Sequence, residues 1–119
     1  LPHDVGTAAA RAAFSAVVAE AGADGVFVQF PFPPGVDGEA LSAVIPTNAD
    51  IDVMRPDRVR EYLAGTGPTP PLTVTAILAL LDAHSIELAG ESTLVLADGT
   101  PFDRMLGEAL RRRDARVRI

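Results

Sequence analysis

A chain of 119 residues, 48% apolar and 22% charged, holds enough material for one compact domain or parts of two, and its composition excludes disorder as the main state. Its net charge of −6 argues against a general nucleic-acid binder, and no apolar run approaches the roughly 18–20 residues of a membrane span. Cys is absent, which excludes disulfides and thiolate metal sites, and all ten cationic side chains are Arg, with no Lys anywhere.

The chain opens on Leu1 rather than Met and so reads as starting inside a longer reading frame. Apolar residues at Ala10, Ala13, Phe14, Val17 and Val18 predict an amphipathic helix over 7–20, ended by a C-capping Gly in Ala21–Gly25. Val26-Phe27-Val28-Gln29-Phe30 reads as a short buried parallel strand, stopped by Pro31-Phe32-Pro33-Pro34, since Pro has no N–H to donate to a ladder. Asp37 reads as the N-cap of a helix through Leu41, Val44 and Ile45, broken by Pro46-Thr47-Asn48. A loop over 49–55 follows, then a helix with Pro56 in its first position and Val59, Tyr62 and Leu63 along it. Gly65 to Pro71 is a Gly/Pro linker and the expected domain boundary.

Beyond it, 72–83 reads as a helix with Ile77, Leu78, Leu80 and Leu81 inward. A strand over 93–97, a loop at Asp98-Gly99-Thr100-Pro101, a helix over 102–113 and a strand over 116–119 complete one βαβ unit, which implies parallel pairing. The expected class is therefore α/β, with the boundary in the linker and a βαβ start after it. The Arg111-Arg112-Arg113 run reads first as cations closing a helix and second as a phosphate contact. Asp50 and Asp52, two carboxylates without further oxygen ligands, make a poor cation motif, and no metal is expected. His3 and His84 are the neutral-range titrating groups, and His84 at a helix end reads as structural.

In order and spacing, several segments resemble the bifunctional methylenetetrahydrofolate dehydrogenase/methenyltetrahydrofolate cyclohydrolase family. The family strand V-Q-L-P-L-P is similar to Val28-Gln29-Phe30-Pro31-Phe32-Pro33, and K-D-V-D-G-F to Ala49-Asp50-Ile51-Asp52-Val53-Met54. P-C-T-P resembles Pro71-Leu72-Thr73-Val74, and G-I-D-I-x-G resembles Ser85-Ile86-Glu87-Leu88-Ala89-Gly90. V-V-V-G-R-S resembles Leu94-Val95-Leu96-Ala97-Asp98-Gly99, and R-R-D-A-x-V-x-I resembles Arg112 to Ile119. Leu1-Pro2-His3-Asp4-Val5 is similar to the L-P-x-D-V start of the preceding family helix.

The resemblance implies a partial and divergent member, active in tetrahydrofolate one-carbon interconversion, with 1–70 as part of a folate-binding catalytic α/β domain and 71–119 as a linker helix and the first βαβ of a Rossmann-like domain. In the family, a hydride passes from a methylene bridge to NADP, and the methenyl product is then hydrated. It implies Gln29 as the catalytic position, supporting an acid/base Lys, and Asp52 as the acceptor for the donor edge of a pteridine, with Pro31 and Pro33 beside the substrate. It implies a degenerate cofactor site at Thr73, Ala97, Asp98 and Gly99. Without the resemblance, Gln29 reads as a hydrogen-bonded polar group at the end of a buried strand, and Asp52 as a solvated loop carboxylate or a helix-capping neighbour.

The chain departs from the pattern at chemically important places. The acid/base Lys is missing, Asp98 stands where family Arg and Ser clamp a 2′-phosphate, and Asp103-Arg104-Met105 replaces G-x-P. The alternative implied is a non-catalytic binding or assembly module. Expected partners are a folate-type small molecule and a second copy or partner chain, with neither nucleic acid nor membrane, in the cytoplasm.

Overall fold

The computed structural model describes residues 4–67 and 70–119; Leu1, Pro2 and His3, with part of the expected linker, lie outside the described residues. Contacts divide the chain into two compact units, one ending at Arg58 and the other beginning at Val59. Both units mix helix with parallel pairing, and the fold is α/β.

In the first unit, α1 (Thr7–Ala21) ends as expected on Gly22, whose φ of 54° places it in the left-handed region that Gly adopts without a Cβ penalty. Its inward stripe is only partly realised. Ala10 is fully buried, and Phe14 and Val18 pack on a core of Val26, Ile45, Ala49 and Met54, but Val17 is 62% exposed. The α2 helix (Gly38–Ser42) is capped by Asp37, which accepts a hydrogen bond from the Ala40 amide at 3.1 Å. It stops three residues before the expected Ile45. The chain continues in tight turns, with Val44 N–H donating to Leu41 O and Ile45 N–H to Ser42 O.

The expected strand over 26–30 is not formed. Only Val26 pairs, in a parallel bridge to Asp50, and its N–H donates to Ala49 O at 2.7 Å. Phe27 is 52% exposed rather than buried. The prolines at 31, 33 and 34 withhold the amides a longer ladder needs.

The α3 helix (Pro56–Leu63) starts on Pro56, whose fixed φ suits the first helical position. In the second unit, α4 (Leu72–Ala83) has the predicted bounds but not the predicted face. Val74 is its fully buried residue, Ile77, Leu78 and Leu81 are half-buried, and Leu80 points out.

Strands β1 (Ser92–Leu94) and β2 (Arg116–Arg118) pair in parallel, Ser92 opposite Arg116, with one further bond from Val95 N–H to Arg118 O. β1 is shorter than the expected 93–97, and Leu96 is exposed beyond it. Between the strands runs α5 (Pro101–Arg111), which buries Met105, Leu106, Ala109 and Leu110 and packs on α4 and β2. It ends two residues before the expected Arg113, in turns that lead to Asp114 at a φ of 61°. No helix among the described residues is long and apolar enough to cross a membrane.

Candidate functional site

The first unit carries a groove of about 440 Å3 between α1 and the proline segment, walled by Phe14, Val17, Val28, Phe32 and Leu41. Gln29, Pro31 and Pro33 all line it, so three of the four substrate-side residues expected from sequence share one surface. Thr7, the first residue of α1, ties the far end of the segment: its hydroxyl donates to Gly35 O at 3.1 Å and accepts from the Asp37 N–H at 2.9 Å. The Phe30 and Phe32 rings lie tilted with centroids 4.5 Å apart, and the Phe30–Pro31 bond is cis. Gln29 itself is exposed, and its Nε2 donates to Phe30 O at 3.0 Å.

Asp52 belongs to the parallel neighbour of that segment but is not among the groove-lining residues. From the Val26–Asp50 bridge both chains run the same way, Gln29 three residues along one and Asp52 two along the other. Asp52 is 5% exposed, and the next residue, Val53, is buried at a φ of 55°. A β-branched residue in that region is strained and persists only where its surroundings fix it.

Two side chains do the fixing. The buried Asp50 carboxylate accepts from Met54 N–H at 2.8 Å and from Arg55 N–H at 3.0 Å, closing the turn that contains Asp52. Arg55 grips Asp57 with two parallel bonds of 2.9 and 3.0 Å, while its Nη1 donates to Ile45 O at 2.7 Å and Ala43 O at 3.2 Å. The Arg55 hydrogen bond holds the Asp57 carboxyl below its ordinary value. The sequence reading missed this clasp. Its only trace was a carboxylate four residues before Met54, a spacing shared with many solvated loops.

In the second unit, Thr73 lies exposed on the first turn of α4, and Ala97, Asp98 and Gly99 lie exposed in the turn before α5. Gly99 has a φ of 89°. Asp103, 7% exposed on the first turn of α5, accepts from Gly99 N–H at 2.9 Å and Thr100 N–H at 2.6 Å through one oxygen. Amides at a helix start are the donors a dinucleotide phosphate would need. Here they already face a carboxylate, with Asp98 beside them, so the residues present do not fit NADP. The signal was legible as Thr100-Pro101-Phe102-Asp103, a Ser/Thr-x-x-acid capping pattern.

The Arg run is engaged within its own unit. Arg112 lies 4.7 Å over the Tyr62 ring, and its guanidinium donates to Tyr62 O at 2.6 Å and Glu108 at 3.0 Å. Arg113 pairs with Asp82. Burial pushes the Tyr62 phenol up. His84 is exposed at the C-cap of α4. Among the described residues, no three His, Cys, Asp or Glu side chains gather as a metal site.

No protein-family model matches the chain. Among curated proteins, it is 32% identical over all 119 residues to bifunctional protein FolD 1 of Saccharopolyspora erythraea, and equally to FolD 2 of Frankia alni. It spans 41% of the length of each of these relatives. Among solved structures, 99% of the chain superposes on 40% of the Trypanosoma brucei methylenetetrahydrofolate dehydrogenase-cyclohydrolase complexed with NADP and inhibitor, with a TM-score of 0.77 and 26% identity. The Campylobacter jejuni bifunctional enzyme FolD shares the fold at a TM-score of 0.75 and 20% identity, again over 99% of this chain and 42% of that one. Along its whole length the chain is thus similar to part of the bifunctional FolD proteins.

Proposed function

We propose that the first unit binds a folate-type ligand and serves tetrahydrofolate one-carbon interconversion. The observation that carries this reading is the groove in which Gln29, Pro31 and Pro33 converge on apolar walls. A planar heterocycle gains apolar contact from Pro31, Pro33 and Phe32. The Gln29 carboxamide offers a donor and an acceptor at the rim. Asp52, buried on the parallel neighbour of the Gln29 segment, is the carboxylate that the family pattern assigns to the donor-rich edge of a pteridine. The family's acid/base amine would come from residues outside these 119, which contain no Lys. The dehydrogenase half of the family reaction also depends on NADP, which the turn before α5 does not fit.

The turn before α5 favours a second reading, a non-catalytic binding or assembly module derived from that family. The domain division at 1–70 and 71–119, a cytoplasmic location, and a homodimer or partner chain along the open edges of the two-stranded sheet belong to this proposal.

Calorimetric titration of the whole chain with tetrahydrofolate tests it. Saturable binding is expected, weakened about tenfold or more by Asp52→Ala, which removes a charge-assisted pair of roughly 1.5–3 kcal/mol. Gln29→Ala is expected to weaken it less. An affinity untouched by Asp52→Ala overturns the pteridine assignment. Turnover of the methenyl form by the same preparation would favour an enzyme over the module.

A further inference from the structure

The turn between β1 and α5 supports an inference that does not rest on the folate reading. We propose that Asp103 is a built-in anion that occupies the phosphate position of this βα turn, so that the second unit keeps a dinucleotide-type architecture while dispensing with the dinucleotide.

In such turns, the amides between strand and helix are left unpaired so that a ligand's phosphate can take them, and the partial positive charge of the helix start adds to the attraction. Here Gly99 and Thr100 N–H converge on one oxygen of Asp103, at 2.9 and 2.6 Å. The left-handed Gly99, at a φ of 89°, belongs to the turn that presents both amides to that oxygen. The carboxylate is 7% exposed, so it cannot move aside without stranding two donors. It brings to the helix start the same chemistry a phosphate would bring, an anionic oxygen accepting backbone N–H bonds. A second anion there would meet both Asp103 and Asp98.

This makes a prediction that a merely empty or damaged cofactor loop does not. Removing the carboxylate should create an anion site. Thermal unfolding of the whole chain is followed with added NADP, with inorganic phosphate, and with chloride at matched ionic strength. The wild-type midpoint should not move with millimolar NADP or with phosphate relative to chloride. Asp103→Ala should unfold a few degrees lower, and phosphate, but not chloride, should restore part of the loss. Should Asp103→Ala fail to fold in chloride, refolding it in phosphate is the same test, and folded protein is expected in phosphate and not in chloride. Saturable NADP binding by the wild type overturns the proposal. So does a variant that loses stability without any phosphate-specific recovery.

Discussion

At the scale of single residues, the most demanding position is Val53. Its left-handed backbone costs on the order of 1–3 kcal/mol for a β-branched side chain, and the clasp at Asp50 offsets that cost by taking the amides of the next two residues, Met54 and Arg55. Asp50→Ala should therefore destabilise the chain by about 2–3 kcal/mol, because a buried donor and a part-buried one lose their partner at roughly 1–2 kcal/mol each. Asp50→Asn should cost about half as much, since its single carbonyl oxygen can satisfy one amide. Urea unfolding of the three proteins measures this, and equal costs for Ala and Asn would show that the clasp is not what holds the turn.

At the scale of elements, α4 separates what was legible from what was not. Its bounds followed from Pro71 and the apolar run, but its burial did not, because periodicity says which residues align and not what they align against. Packed against α5, α4 buries Val74 fully and leaves Leu80 61% exposed. Val74→Ala is accordingly expected to cost about 2 kcal/mol through the cavity it leaves, and Leu80→Ala to stay within about 0.5 kcal/mol. Thermal or chemical unfolding checks both, and the reverse order would place the helix on its other face.

The same contrast holds elsewhere. Gly22, Asp37 and Pro56 could be read locally, since a cap or a fixed φ depends on neighbours in sequence. The pairing of Val26 alone could not, because it depends on how many amides face it across the bridge. Half of the candidate site was likewise readable: Gln29 and the prolines came from one contiguous motif. The Arg55 clasp joins two backbone carbonyls near the end of α2 to the start of α3, and no local pattern announces it.

At the scale of the whole molecule, charge sets the response to acid. Asp57 and Asp82 are each held below the ordinary value of 3.8, chiefly by hydrogen bonds from Arg55 and Arg113. A depressed carboxyl stabilises the fold fully above its unfolded value and loses that contribution as pH falls through the folded one. Stability should therefore hold from neutrality down to the unfolded value and decline below it. The decline should be shallow and salt-sensitive, since both pairs are substantially exposed. Denaturant unfolding at stepped pH checks this, with Asp57→Asn combined with Asp82→Asn expected to flatten part of the acid slope. An unchanged slope would assign acid sensitivity to other carboxylates.

The closed start of α5 also bears on the order in which the second unit can assemble. The bonds from Gly99 and Thr100 to Asp103 span four residues at most, so they can form while the rest of the chain is still unfolded. The parallel pairing of Ser92 with Arg116 must instead close the whole crossover before it gains anything. α5 is therefore positioned as a nucleus on which the two strands later align, and the carboxylate that stands in for a ligand lets that nucleus form without waiting for one.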